Sequence, residues 1–126
     1  MFDHISIGTR DIAKARRFYD RALAPLGIKR QSDGETSLGY GRTGIALWIG
    51  ATERPVPADA ASGLHFCFSA AKPAEVDEFH AAALAAGGKD NGKPGFRADY
   101  GAGYYAAFVI DPDGYRLEAY CDAKST

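Results

Sequence analysis

The sequence contains two histidines and one carboxylate that could together bind a metal ion: His4, His65 and Glu118. Each histidine lies near the start of a run in which apolar and polar residues alternate, at 2–8 and at 63–69. Alternation with period two predicts a strand with one apolar and one polar face, and both histidines fall on the polar face. Their residue types therefore make them candidates for metal ligands.

Glu118 lies in the last run of the chain, residues 111–121, which reads DPDGYRLEAYC. The first four residues predict a turn, and the remainder predicts a strand. Its apolar face carries Leu117, Ala119 and Cys121, and its other face carries Arg116, Glu118 and Tyr120. A carboxylate in such a strand either faces solvent or needs a cation, a hydrogen-bond donor or a metal ion as its partner.

The elements that must position these residues follow a repeated order. The apolar spacing predicts an amphipathic helix over 12–23, capped by Asp11, and a second helix over 75–86 that opens at Pro73. Strands are also predicted at 28–31, 36–41, 45–50, 104–110 and 115–121. The glycine-rich stretch 89–103 is ambiguous, with room for one short strand, and residues 51–62 predict a connector.

A shift of 61 residues, which carries His4 onto His65, aligns the first half of the chain with the second. The aligned pairs are His4/His65, Ile5/Phe66, Ile7/Phe68, Phe18/Phe79, Leu23/Leu84 and Gly27/Gly88. Such a duplication predicts two similar units that cannot cover their sheets alone. We therefore predict a single α+β domain of two βαβββ modules, 1–50 and 63–126. Their sheets would form a concave cleft with the helices outside.

In this arrangement the two histidines are equivalent, and both face the cleft together with Glu118. Two imidazoles and a carboxylate with open coordination positions suit divalent ions such as Fe(II), Mn(II) and Zn(II). For a lone histidine, an ordinary core or surface role is the favoured interpretation. Their repeat-equivalent positions, with Glu118 on the same surface, favour a metal site.

These segments resemble the vicinal oxygen chelate superfamily, the group of glyoxalases, bleomycin-resistance proteins and extradiol dioxygenases. The residues that carry the resemblance are Asp3-His4-Ile5 before the Phe18-Tyr19 helix, Gly63-Leu64-His65, and Asp111-Pro112-Asp113-Gly114 with Glu118. The resemblance implies a metal held by His4, His65 and Glu118, with iron, manganese, zinc or nickel as the cofactor. It implies an enzyme that chelates vicinal oxygens of a small-molecule substrate, in a dioxygenase-, lyase- or transferase-like reaction. The alternative is a metal-free small-molecule-binding protein of the bleomycin-resistance type.

One departure from the family pattern narrows the class of enzyme that the resemblance implies. Where glyoxalase I proteins have a fourth ligand, a glutamate, this chain has Ala46, which cannot ligate a metal. A three-ligand site instead resembles the extradiol dioxygenases and the fosfomycin-modifying transferases. Trp48 is a predicted aromatic wall of the substrate pocket, although a plain core aromatic has the same pattern. Arg116 and Tyr120 are the other predicted substrate-binding residues, with Arg116 either holding a carboxylate or phosphate or facing solvent.

Composition excludes several classes of partner. The net charge is −1 with no basic block, so neither nucleic acid nor a membrane is an expected partner. The N-terminus has no signal-peptide pattern, and no apolar stretch approaches the roughly 20 residues of a membrane span. Cys67 and Cys121 are predicted to be buried thiols in a reducing compartment, which favours a cytoplasmic location. His80 is predicted to be exposed on its helix.

The assembly is the last expectation. One chain carries both modules, so a cleft can close within a monomer, yet many small relatives pair their modules across a two-fold axis. The connector 51–62 reaches roughly 40 Å when extended, so it permits both arrangements. We predict a homodimer, because the sheet edges and the apolar strand 104–110 otherwise lack cover.

Overall fold

The first half of the chain forms a helix and a four-stranded sheet. A computed structural model describes residues 1–125; Thr126, the last residue of the predicted second module, lies outside them. The elements are β1 (Ile5–Thr9), α1 (Ile12–Leu23), β2 (Lys29–Asp33), β3 (Ser37–Gly41) and β4 (Leu47–Ala51). The strand order is β1-β4-β3-β2, with β1 parallel to β4 and the other pairs antiparallel.

The second half repeats this architecture. Its elements are β5 (His65–Ser69), α2 (Pro73–Ala85), β6 (Lys89–Phe96), β7 (Tyr104–Ile110) and β8 (Arg116–Asp122). The strand order is β5-β8-β7-β6, and again only the first pair is parallel. Short 3₁₀ turns cover Ala24–Leu26, Ala60–Ser62 and Ala123–Ser125. The predicted α+β fold with two βαβββ units is therefore confirmed.

The ambiguous stretch after α2 contains a longer strand than the sequence indicated. β6 runs for eight residues, but its register with β7 shifts between Asp90 and Gly92 and again between Gly92 and Gly95. Each such bulge adds an unpaired residue and changes which face the following side chains occupy. The alternation is therefore lost, and this is why period two did not reveal the strand.

Both helices pack into one hydrophobic core. Phe18 and Tyr19 of α1 and Val76 and Phe79 of α2 are each no more than 1% exposed. They belong to a single cluster that also contains residues from both sheets. Asp11 caps α1 as predicted, because its side chain accepts a hydrogen bond from the Lys14 amide at 3.1 Å. Neither helix is long and apolar enough to cross a membrane, nor is any other among residues 1–125.

The turn before β8 connects the two halves. Asp113 accepts hydrogen bonds from the Thr9 hydroxyl at 2.5 Å and from the Arg10 amide at 3.0 Å. Asp111, which is 4% exposed, accepts one from the hydroxyl of Tyr19 on α1. A second connection lies at Arg42, whose guanidinium donates to the backbone oxygen of Ser69 on β5 at 2.6 Å. These contacts fix one half of the chain relative to the other.

Candidate metal-binding site

His65 and Glu118 come together because their strands are neighbours. β5 and β8 run parallel with Cys67 opposite Glu118, so the His65 and Glu118 side chains lie on the same face. The His65 Nε2 atom lies 2.8 Å from the Glu118 Oε1 atom. The Glu118 side chain is only 3% exposed, whereas that of His65 is 43% exposed. A buried carboxylate thus has an accessible imidazole as one of its partners.

The second carboxylate oxygen of Glu118 is held by Tyr104. The Tyr104 hydroxyl donates to Glu118 Oε2 at 2.5 Å. Burial, and then the hydrogen bond to Glu118, raise the pKa of Tyr104 above its usual value, so the phenol keeps its proton and remains a donor. The sequence pattern did not single out Tyr104 as a partner of Glu118. The missing signal was the register of β7 on β8, which puts Phe108 opposite Glu118 and thereby Tyr104 on the same face.

A cavity of about 460 Å³ opens above this pair. Its walls include His65, Tyr100, Tyr104, Phe108, Arg116 and Glu118. The Phe108 ring lies 6.3 Å from the imidazole of His65, measured between centroids. The site is therefore a small pocket with aromatic walls and a buried carboxylate at its base, which is the usual form of a small-molecule site.

His4 does not join this pair within one chain. It precedes β1, which belongs to the other sheet, and its Nδ1 atom lies 2.6 Å from the Asp3 Oδ1 atom. Its side chain is 47% exposed. Residues 1–125 contain no group of three or more His, Cys, Asp or Glu side chains that could hold a metal. A single chain therefore brings together only two of the three predicted ligands.

The two side chains that do meet, His65 and Glu118, are of the kinds that hold divalent ions. Imidazole nitrogen and carboxylate oxygen are donors that Mn, Fe and Zn accept. Their 2.8 Å separation is that of a hydrogen bond, whereas two ligand atoms that share an ion through bonds of about 2.1 Å stand roughly 3.0 Å apart at octahedral angles and roughly 3.4 Å apart at tetrahedral ones. A small outward shift of the two side chains would therefore admit an ion. Tyr104 supplies the outer hydrogen bond that commonly orients a metal ligand. The fit needs a third ligand from outside these two strands.

The predicted substrate-binding residues occupy different places. Arg116 lines the cavity above Glu118. Tyr120 packs its ring on Tyr104, with the centroids 4.1 Å apart. Trp48 is half-buried on β4, in the other sheet, opposite Gly39 of β3. Ala46 is exposed and borders a second cavity of about 580 Å³ that also reaches His65. Arg116 thus lies at the His65–Glu118 pocket, and Trp48 belongs to the half of the chain that carries His4.

Two predictions about other side chains were wrong. His80 is 8% exposed rather than exposed, because it faces β6, where its Nε2 atom lies 3.0 Å from the Asp90 Oδ1 atom. Cys67 is exposed rather than buried, because β5 is the outer strand of its sheet. Loss of water around the sulfur, and then the charge of Glu118, nevertheless raise the pKa of Cys67 to about 12, so its thiol is neutral. Cys121 is buried as predicted.

The sequence matches the Glyoxalase/Bleomycin resistance protein/Dioxygenase superfamily over residues 1–119. The chain belongs to this superfamily. A glyoxalase/bleomycin resistance protein from Albidiferax ferrireducens T118 is 32% identical, with a TM-score of 0.80, and the alignment covers 95% of this chain and 97% of that one. The resemblance drawn from the motifs is therefore confirmed.

Two further solved structures share the fold at lower identity. A glyoxalase-related enzyme from Fulvimarina pelagi is 19% identical, with a TM-score of 0.74, and the alignment covers 95% of this chain and 86% of that one. The fosfomycin resistance protein FosX from Listeria monocytogenes, a mutant solved with Mn(II) and a dihydroxypropylphosphonic acid, is 16% identical with a TM-score of 0.69. Here the coverage is 95% of this chain and 88% of FosX. No curated protein matches the sequence.

Proposed function

We propose that the protein is a divalent-metal-dependent enzyme of the superfamily, with His65 and Glu118 as two metal ligands and His4 as the third. The observation that carries the proposal is the pairing of the His65 imidazole with the buried Glu118 carboxylate at 2.8 Å. An accessible imidazole beside a buried acid at the base of an aromatic pocket is an arrangement typical of functional sites. That FosX, which has the same fold, was solved with Mn(II) is consistent with a metal in this fold.

Each side chain has a separate role in this proposal. The Glu118 carboxylate is 3% exposed, and Tyr104 fixes its orientation through a hydrogen bond to Oε2. His65, being accessible, can turn its ring between Glu118 and a bound ion. Iron, manganese, zinc and nickel are the candidate ions, and such an ion acts as a Lewis acid on two neighbouring oxygens of the substrate. Phe108 and Tyr100 form part of the aromatic wall of the site.

His4 would come from a second copy of the chain. Within one chain the Arg42–Ser69 contact and the Asp113 contacts fix the two halves with His4 away from His65 and Glu118. β1 and β5 are both outer strands of their sheets, and Ile5 and Phe2 beside His4 are 37% and 75% exposed. A two-fold dimer that sets β1 of one chain beside β5 of the other covers these residues and completes two equal sites. In this proposal the modules are residues 1–50 and 63–126, and the connector is 51–62.

One observation favours the alternative, a metal-free small-molecule-binding protein. The second cavity, of about 580 Å³, is lined mainly by apolar groups such as Phe2, Phe66 and Phe68 and needs no metal to hold an apolar ligand. In either case we propose a cytoplasmic protein, since Cys67 and Cys121 are both free thiols. Metal content separates the two functions.

The test is metal analysis of protein purified without chelators and without a nickel column. We expect one divalent ion per chain, and a sharp loss of bound metal on changing His4, His65 or Glu118 to alanine. Glu53→Ala, which removes an exposed glutamate of the connector, is the control and should keep the metal. Stoichiometric metal in the double variant His4→Ala plus Glu118→Ala would contradict the proposed site.

A further inference from the structure

Arg116 differs from the other half-buried arginines of the chain. Arg16 and Arg30 pair with Asp33 and Asp20 at 3.0 Å, and Arg97 donates to the backbone oxygen atoms of Gly95 and Lys93 at 2.9 and 2.7 Å. Arg116 is half-buried as they are, yet its guanidinium makes no hydrogen bond or ion pair within the part of the chain that the structure describes. Its guanidinium has five N–H donors that need acceptors. An acceptor from outside the chain would satisfy them.

The side chain lies where a ligand can reach it. Arg116 borders the cavity above Glu118 and also a neighbouring cavity of about 500 Å³ between the connector and the turn before β8. Asn91 is the other residue that lines both. Asn91 is the extra residue of the first bulge in β6 and has no opposite residue on β7. Its side-chain amide makes no hydrogen bond with the described residues. Two side chains with N–H donors that have no partner among the described residues, the half-buried Arg116 and the exposed Asn91, thus stand at the junction of the two cavities.

The acidic residues nearby are already engaged with other donors. Asp113, which lines the second cavity, accepts from the Thr9 hydroxyl and the Arg10 amide. Asp59, on the same wall, accepts from the Ser62 amide at 3.0 Å. Neither forms an ion pair with Arg116 within the described chain. The positive charge of Arg116 is therefore available to a ligand.

We propose that Arg116 and Asn91 form an oxyanion-binding subsite, so that the substrate carries a phosphoryl, phosphonyl or carboxylate group beside the oxygens that approach His65 and Glu118. This rests on the proposed function for the placement of those oxygens. A guanidinium binds two oxygens of such a group through parallel hydrogen bonds, and the amide of Asn91 supplies a further donor. Arg116 is opposite His65 in the β5–β8 register, so the anionic group binds next to the His65–Glu118 pair. The substrate class is a small, oxygenated organic anion.

The test uses the full chain, as purified and after metal removal on a chelating resin, with inorganic phosphate and acetate as separate probes. Binding is followed in NMR spectra of the backbone amides, the arginine Nε–H groups and the asparagine side-chain amides, at constant ionic strength in sodium chloride. We expect millimolar binding that shifts the Arg116 and Asn91 side-chain signals. Arg116→Gln should raise the dissociation constant of the anion about tenfold or more. Arg116→Lys should raise it less, because lysine keeps the positive charge but cannot make the two parallel hydrogen bonds of a guanidinium.

Arg54→Gln, which removes an exposed arginine of the connector, is the matched control and should leave the affinity unchanged. A stronger response to phosphate supports a phosphoryl or phosphonyl group, and a stronger response to acetate supports a carboxylate. Equal affinity in wild type and Arg116→Gln, with the fold of the variant shown intact by its spectrum, would overturn the subsite. Because the metal-free protein is measured too, failure to bind any divalent ion would overturn the proposed function and leave this result standing.

Discussion

At the scale of single residues, the decisive feature is that both oxygens of Glu118 have partners. His65 approaches Oε1, and the Tyr104 hydroxyl donates to Oε2 at 2.5 Å. A carboxylate fixed at one oxygen presents the other in a defined direction, which lowers the cost of organising a ligand set. Tyr104 is itself held by its neighbours, because its ring packs against Tyr120 and meets Tyr100 edge-on at 5.2 Å. We therefore regard Tyr104 as the residue that positions Glu118.

Removal of the Tyr104 hydroxyl should weaken metal binding without removing a ligand. We expect Tyr104→Phe to raise the dissociation constant for Mn(II) or Zn(II) by about 10–100-fold, the usual cost of losing an outer hydrogen bond to a metal ligand. The measurement is competition with a chromophoric chelator. The spectrum of the Co(II)-loaded protein should also change, since the orientation of Glu118 around the ion changes.

Tyr105→Phe is the matched control for this prediction. Tyr105 is the next residue along β7, and its hydroxyl donates to Asp77 at 2.6 Å, away from Glu118. The same group is therefore lost from the opposite face of the same strand, and metal affinity should stay at the wild-type value. Equal losses in the two variants would show that the effect of Tyr104→Phe comes from the strand as a whole.

Individual residues were predictable from sequence to the extent that strand alternation fixes them. The shared face of His65 and Glu118 follows from period two and from two strands that are neighbours. His80 was not predictable in this way, because its burial depends on Asp90 of β6, a strand that bulges obscure. The separation of His4 from the pair depends on how the two halves dock, and no local pattern encodes that.

At the scale of elements, the turn before β8, which belongs to the second half, is hydrogen-bonded to α1 of the first half. The Asp111 carboxylate accepts hydrogen bonds from the amides of Asp113 and Tyr115 at 2.9 and 2.8 Å and from the Tyr19 hydroxyl. Gly114 completes the turn with φ of 99°, a conformation that suits glycine. Burial nevertheless raises the pKa of Asp111 to about 6, against the lowering effect of these hydrogen bonds.

The raised pKa makes this turn a source of pH-dependent stability. A carboxyl whose pKa is about 6 when folded and 3.8 when unfolded binds more protons in the folded state, so its contribution to the free energy of unfolding falls as pH rises from about 4 to 7. The stability of wild type relative to Asp111→Asn should fall by about 2–3 kcal/mol across that range. Urea denaturation at several pH values measures the difference between the two proteins.

Tyr19→Phe tests the same explanation from the side of the helix. The Tyr19 hydrogen bond lowers the pKa of Asp111, so its loss should raise that pKa further. The free energy of unfolding of Tyr19→Phe, measured relative to the double variant Tyr19→Phe plus Asp111→Asn, should then keep falling to a higher pH than in the wild-type comparison. A wild-type curve parallel to that of Asp111→Asn between pH 4 and 7 would show that Asp111 does not titrate in this range.

Elements were more predictable than their edges. Both helices were predicted from Asp11, Pro73 and the helical spacing of apolar residues, because capping and amphipathicity are local properties of the sequence. β1 and β4 begin at Ile5 and Leu47, later than the alternation indicated, since alternation continues through residues that do not pair. The sequence duplication predicted the topology. Because the two halves have the same order of helices and strands, two sheets of the same topology were expected, and the structure has them.

At the scale of the whole molecule, the two halves share one core, and among the described residues each sheet keeps two edge strands, β1 and β2 in one and β5 and β6 in the other. Helices α1 and α2 contribute to the same hydrophobic cluster, so the halves do not move as separate bodies without exposing it. β1 and β5 end their sheets, and exposed apolar side chains lie beside β1. Open edges of this kind favour association with another strand. In the proposed dimer, a second copy of the chain covers the β1 edge and also supplies His4.

Mixing two inactive variants tests this assembly directly. His4→Ala and Glu118→Ala should each bind little metal as homodimers, because each breaks both shared sites. In a heterodimer, one site combines the intact His4 of one chain with His65 and Glu118 of the other, and the second site lacks both residues. Random exchange should therefore restore about a quarter of the wild-type metal, since half of the dimers are mixed and each has one intact site. Light scattering must show a dimer, and a monomer at micromolar concentration would contradict the assembly. Confirmed subunit exchange with no recovery of metal would exclude a site shared between chains, whereas recovery can arise only if His4 and Glu118 act from different chains.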